Sequence, residues 1–331
     1  MRFLRRLFLL LVVLALAAGA AVAWWLNRPL PLSGPSVELS IESGMSPREV
    51  AQGWVTAGVQ SEPLLLYEWF RWSGDARRIR AGSYQVGPGT TPRTLLAKMV
   101  QGDEAYERVR LIEGWTFRQF RTALAQAPHL KPATAAMDDA QLMAALGRPG
   151  IAPEGRFFPD TYTYSRGVSD LTVLKRALAT MQQRLDAVWA ERAPGLPLKT
   201  ADEALVLASI VEKETGRGED RARIAAVFVN RLRIGMPLQT DPTVIYGLGS
   251  GFDGNLRKRD LQADGPYNTY LRAGLPPTPI AMPGLASLRA AVQPEASKAL
   301  YFVARGDGTS VFSDDLAAHN RAVNEYQRKT R

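Results

Sequence analysis

The stretch Thr200-Ala201-Asp202-Glu203-Ala204-Leu205-Val206-Leu207-Ala208-Ser209-Ile210-Val211-Glu212-Lys213-Glu214-Thr215-Gly216 decides how the rest of the chain is read. Thr200 followed three residues later by Glu203 has the form of a capping box, so a helix starts here, and Gly216 is the expected C-terminal stop. Between them lies a nearly unbroken apolar run, which predicts a buried helix and not a surface one. At about 100° per residue, Glu214 shares a face with Leu207, Ile210 and Val211, while Glu212 lies nearly opposite. Two effects then raise the pKa of Glu214: desolvation, and the partial negative charge at a helix C-terminus. A carboxylic acid that keeps its proton near neutral pH has the profile of a general acid. A solvated glutamate in the last helical turn is the commoner arrangement, so the surrounding sequence has to decide between them.

Composition removes several alternatives. The chain has 331 residues, 46% of them hydrophobic, enough for two folded domains and an apolar anchor. It contains no cysteine, which excludes disulfides and thiolate metal sites. Two histidines, His129 and His319, are too few for a zinc cluster, and no metal or other cofactor is expected. No Gly-rich phosphate loop and no Ser-His-Asp order can be found. The net charge of +9 raises nucleic acid as a partner. The basic residues, among them Arg71, Arg77, Arg78, Arg80, Arg217, Arg221 and Arg223, are scattered and form no nucleic-acid motif. No nucleic acid is expected as a partner.

The amino end reads as a membrane segment. Residues 1–6 carry Arg2, Arg5 and Arg6, and Leu7–Leu26 is then twenty residues without a charge. At about 1.5 Å per residue this run spans about 30 Å, the thickness of a bilayer core. The arginines predict a cytoplasmic N-terminus, with Trp24-Trp25 at the far interface. Ala21-Val22-Ala23 resembles a signal-peptide cleavage site, but the apolar run is longer than a usual signal core, which favours an uncleaved anchor. Residues 27–36, rich in Pro, Gly and Ser, then read as a short stalk.

The rest of the chain reads as α+β. Strands are expected at Val37–Ile41, Gly82–Val86 and Glu107–Gly114, and a hairpin at Leu300–Ala304 and Ser310–Phe312 around Gly306-Asp307-Gly308. Helices are expected from Ser46-Pro47 to Ala57, over Glu62–Trp72, from Thr91-Pro92 to Val100, from Thr116, over Leu171–Glu191, and over Asp315–Arg328. Asp241-Pro242 has the form of an N-cap followed by a proline at the first helical position, so a cap is the simpler role for Asp241.

Longer blocks carry a resemblance. ASIVEKET from Ala208, AAVFVNRLRIGMPLQTDPTVIYGLG from Ala225, GPYNTYLRAGLPPTPIAMPG from Gly265, ALYFVARGDGTSVFS and AAHNRAVNEY closely resemble the membrane-anchored endolytic murein transglycosylases of the YceG-like family. Upstream, Glu113-Gly114 and Glu154–Tyr162 are similar to the same family, so the resemblance runs from about Val37 to about Tyr326. It implies a LysM-like subdomain over 37–103, a connecting region over 104–199 and a catalytic core over 200–331, behind a cytoplasmic tip (1–6), an anchor (7–26) and the stalk. It also implies that Glu214, the second glutamate of the EKE triplet, is catalytic, in agreement with the helical-face argument. The implied substrate is the glycan strand of peptidoglycan. Asn230, Gln239, Thr240, Tyr267, Asn268, Thr269 and Tyr270 are the implied sugar-contacting residues, since aromatic faces and amide groups suit sugar rings and acetamido groups. The implied setting is the periplasmic face of the bacterial cytoplasmic membrane, beside peptidoglycan synthases. Two alternatives stand: a hydrolytic muramidase with Asp241 or Asp253 as a second carboxylate, and a glycan-binding scaffold without catalysis.

Overall fold

The computed structural model describes residues 2–215 and 217–328. The helix stop expected at Gly216, and Met1 of the expected tip, lie outside the described residues. The chain is mixed α+β and divides into two compact units, Met1–Glu107 with Thr163–Val168, and Arg108–Tyr162 with Ser169–Arg331. Its strands pair only two by two among the described residues, so helices carry both cores.

In the first unit, α1 (Arg2–Asn27) is long and apolar enough to cross a membrane. The strand β1 (Val37–Ile41) pairs antiparallel with β2 (Gly82–Val86), Leu39 opposite Tyr84, and between them run α2 (Pro47–Ala57) and α3 (Pro63–Trp72). Ser46 and Glu49 close a reciprocal capping box at α2, and Thr91 with Thr94 does the same at α4 (Pro92–Gln101). Each box satisfies two amides that a helix start otherwise leaves unpaired. Trp54, Leu66, Phe70, Tyr84, Leu95 and Met99 fill the core and are fully buried. Residues 27–36 are not a free stalk. Leu26 and Leu30 are buried, Leu30 N donates to Thr90 O at 2.8 Å, and Leu32 bridges to Val59. The leucines interrupting the Pro/Gly/Ser pattern bind this segment to the core; composition alone hid them.

The strand β3 (Tyr106–Arg110), shorter than expected, leads out of the first unit, and β4 (Thr161–Ser165), its partner, leads back. The second unit contains α5 (Phe117–Ala125), α6 (Asp139–Ala145), α7 (Asp170–Ala190), α8 (Ala201–Glu214), α9 (Arg221–Arg233), α10 (Asp241–Leu248), α11 (Lys258–Gln262) and α12 (Leu285–Val292). It ends in the hairpin β5 (Tyr301–Ala304) and β6 (Ser310–Ser313), followed by α13 (Leu316–Val323). The last helix stops short of the expected Arg328, because Asn324–Arg328 winds into a wider π turn.

Helix α8 is the axis of this unit. Every residue from Ala204 to Val211 is buried, packed by α7, α9 and α12. Full burial of each large side chain, such as Leu205, Leu207 or Ile210, contributes about 1.5–3 kcal/mol. Ser209, the one polar residue inside, donates to Val206 O at 2.7 Å and accepts from Ile280 N at 3.0 Å. Thr200 caps the helix start by accepting from Glu203 N at 3.1 Å, but Glu203 reaches past the cap to Lys199 N. The expected reciprocal box is thus displaced by one residue.

Candidate active site

The buried helix α8 delivers Glu214 at its last turn, where the surroundings change from apolar to half-exposed. The Glu214 carboxyl is held above the usual carboxylate range. Burial is the main cause, and the nearby Asp241 charge adds to it; a hydrogen bond from Thr240 and the charge of Arg231 act the other way. The Thr240 hydroxyl donates to Glu214 Oε1.

Thr240 is placed by a short turn under strain. Gln239 sits at φ 49°, in the left-handed region, which costs a residue with a side chain about 1–2 kcal/mol. Its amide donates to Thr269 O at 3.0 Å. Thr240 N donates to Thr269 Oγ1 at 3.2 Å, and the Thr243 and Thr269 hydroxyls meet at 2.8 Å. Buried Arg231 holds the same turn, donating to Leu238 O at 2.7 Å and, through Nε, to Leu300 O at 2.7 Å. Thr240, not Asp241, is the N-cap residue of α10, and its hydroxyl serves Glu214 instead of the helix amides. The cap expected at Asp241 is therefore corrected by one position. Asp241 instead accepts the Tyr270 hydroxyl at 2.6 Å, so a second carboxylate stands near Glu214.

Gln239, Thr240, Thr269 and Tyr270 thus surround Glu214 directly or through one neighbour. Tyr267 is partly buried, its hydroxyl 2.8 Å from Thr278 Oγ1 and its ring edge-on to Tyr246. Asn268 is buried, donating to Leu261 O and Ala263 O at 3.0 and 2.7 Å and accepting from Tyr270 N at 3.0 Å. Asn230 donates to Ser297 O and Ala299 O at 2.9 and 3.0 Å and accepts from Arg233. Both asparagine amides are committed to holding loops. Asp253 lies on the surface in a forked pair with Arg257, which holds its carboxyl down at about 2.

Glu212 points away from Glu214, as the helical spacing requires. Its Oε2 accepts from Gly284 N at 3.0 Å and Ser287 Oγ at 2.7 Å, at the start of α12. It therefore caps a helix that has no capping side chain of its own. Sequence reasoning did not find this contact, nor Glu154, whose buried carboxyl accepts from Phe117 N at 3.0 Å and the Tyr246 hydroxyl at 3.2 Å. A concavity of about 660 Å³, lined by Arg156, Asp202, Val206, Leu232 and Leu275 among others, lies at the opposite end of α8. The twelve helical steps from Asp202 to Glu214 put Asp202 about 18 Å from Glu214. Among the described residues, no cluster of three or more His, Asp or Glu is placed to hold a metal.

A family model described as YceG-like matches residues 39–325. An endolytic murein transglycosylase of Bacillus subtilis is 31% identical over 312 residues, covering 89% of this chain and 86% of the relative. An endolytic murein transglycosylase of Streptococcus pneumoniae is 27% identical over 357 residues, covering 96% of this chain and 64% of that longer protein. A crystal structure of a yceG-like protein from Listeria monocytogenes superposes with a TM-score of 0.55 at 29% identity, covering 87% of this chain and 98% of that one.

Proposed function

The chain belongs to the YceG-like family, and from that premise we propose that it is an endolytic lytic transglycosylase of peptidoglycan. It cleaves the bond between N-acetylmuramic acid and N-acetylglucosamine within glycan strands and leaves 1,6-anhydro-muramyl ends. The observation that carries the reading is Glu214, an acid kept above its ordinary pKa at the end of a buried helix. Glu214 donates its proton to the leaving glycosidic oxygen while the C6 hydroxyl of the muramyl ring attacks its own C1. The ionised Glu214 then takes the C6 proton, so the acid is regenerated and no water is consumed. One carboxyl suffices because the nucleophile is already part of the substrate, and such intramolecular attack has a high effective molarity. Gln239, Tyr270 and Tyr267 contribute the sugar-facing surface, buried Thr240 and Thr269 hold Glu214 in place, and Asn230 and Asn268 act at one remove by holding the loops that carry it.

Digestion of purified peptidoglycan with the protein is expected to release fragments ending in 1,6-anhydro-muramic acid, identified by mass. Reducing muramyl ends would instead assign a hydrolytic muramidase with Asp241 as the second carboxylate.

Thr240→Val provides a second test. The lost hydrogen bond favours the ionised form of Glu214, so its removal raises the carboxyl pKa further. The alkaline limb of the pH–rate profile is expected to move to higher pH, whereas a role for Thr240 in shape alone would lower the rate without moving that limb.

In this reading α1 is a single-pass anchor in the cytoplasmic membrane, with the arginine-bearing end in the cytoplasm and both units in the periplasm beside the synthases that make new strands. The length and apolar character of α1 support the anchor. The order of β1, α2, α3 and β2, with the two strands antiparallel, supports a LysM-like first unit.

A further inference from the structure

Helix α3 has two apolar faces, and only one of them is used by the core. Leu66 and Phe70 are fully buried. On the other side Leu64, Leu65 and Trp72 are 62%, 50% and 77% exposed. Taking 100° per residue, Leu64, Glu68, Trp72 and Leu65 form one continuous arc about 100° wide. The single acid in that arc is masked: Glu68 accepts from Trp72 Nε1 at 3.0 Å and pairs with Arg71 at 3.4 Å. Among the described residues, the other large apolar side chains exposed beyond α1, such as Ile112, Ile234 and Leu316, are isolated in sequence. Three on one ten-residue helix form a patch, and a patch of this kind marks a contact surface.

The position of α3 identifies what it meets. Trp69, on the edge of the exposed arc, donates from Nε1 to Pro92 O at 3.0 Å. Two residues away, Thr90 O accepts from Leu30 N, directly after α1, and α1 itself packs on α4. Trp69, at the edge of the exposed arc, and the segment just after the apolar α1 helix therefore contact one turn, the start of α4. Because residues 27–36 are docked and not free, this spacing is fixed. Arg71 lies next to Leu64 on the helical wheel, exposed Arg77 follows α3 by five residues, and Arg28 is stacked over Trp24 at the end of α1. Leucines with tryptophan, rimmed by arginine, match the boundary between acyl chains and anionic headgroups. Aliphatic leucines offer nothing to the face of a sugar ring that an aromatic ring would not offer better.

We propose that the Leu64–Leu65–Trp72 face of α3 lies on the anionic lipid surface beside the anchor, so that the first unit is seated on the membrane and not merely tethered to it. The proposal rests on the reading of α1 as a membrane span.

The cysteine-free chain allows a direct test. Full-length Leu14→Cys, Leu65→Cys and Trp72→Cys, each carrying a polarity-sensitive fluorophore, are reconstituted into vesicles containing phosphatidylglycerol and compared with the same proteins in detergent micelles stripped of lipid. Glu42→Cys, exposed in a loop of the same unit, serves as the reference. Emission at positions 65 and 72 is expected to shift to the blue in vesicles relative to position 42, and to be quenched by brominated lipid. A label at position 14 that reports lipid while those at 65 and 72 report water overturns the seating and leaves the anchor intact. A label at position 14 that reports water overturns the anchor, and the seating with it. A blue shift at position 72 produced by soluble glycan strands and not by vesicles would reassign the face to polysaccharide and also overturn the proposal.

Discussion

Glu214→Gln is expected to lower the rate of 1,6-anhydro end formation by roughly 10²–10⁴-fold, the usual contribution of a positioned acid–base group. Glutamine keeps the shape and the acceptor oxygen that the Thr240 hydroxyl uses, but it has no proton to lend to a leaving oxygen. The loss should therefore lie in turnover and not in binding. Folding should be spared: the native carboxyl is held above its ordinary pKa by burial, so a neutral replacement removes a desolvation penalty instead of creating one. Product mass spectra together with thermal unfolding of the same preparation check both halves. Retention of full activity by this variant would remove Glu214 from the chemistry. Glu212→Gln is a weaker control than helical spacing suggests, since Glu212 caps α12 through Gly284 N and Ser287 Oγ, and its loss disturbs the fold beside the site.

What could be read in advance follows a physical division between local and distant partners. Helix starts at Ser46, Thr91, Thr116 and Thr200 were legible because a cap and its partner lie within three or four residues. The inward direction of Glu214 was legible because the helical period of the seven apolar residues around Ser209 fixes which way the next turn faces. The start of α12 was not: Gly284 has no side chain to cap with, and its acceptor comes from Glu212, 72 residues away. The same holds for the asparagines. Asn230 and Asn268 look like sugar ligands in a list of residue types, yet their amides close on backbone carbonyls of loops that only folding brings near. Residues 27–36 read as a stalk by composition, while Leu30 and Leu32 dock them on the first unit's core.

The largest pH effect on stability is expected from Glu154. It is 7% exposed, and burial pushes its carboxyl up to about 7 against the opposing hydrogen bonds from Phe117 N and the Tyr246 hydroxyl. Gly155 beside it is at φ 77°, and a Cβ there would run into Pro279, so this position requires glycine. In the unfolded chain the same group titrates at about 4.3. Its folded pKa is thus the higher one, and between these values the folded state binds more protons than the unfolded state. The stabilisation is complete below about pH 4, declines as pH rises through the window and is lost above about pH 7, an effect on the order of 3 kcal/mol. Glu113 and Glu214, also raised, add slope of the same sign; His319, lowered by burial, opposes it near its own titration. Urea denaturation at intervals from pH 5 to 8 should show the midpoint falling with pH, and Glu154→Gln should remove most of the fall. The consequence reaches the site, because Tyr246 belongs to α10, whose first residues carry Thr240 to Glu214. A variant that kept the full slope would mean that Glu154 titrates in contact with water, and the link from the α5 start through Tyr246 to the acid would then carry no pH dependence.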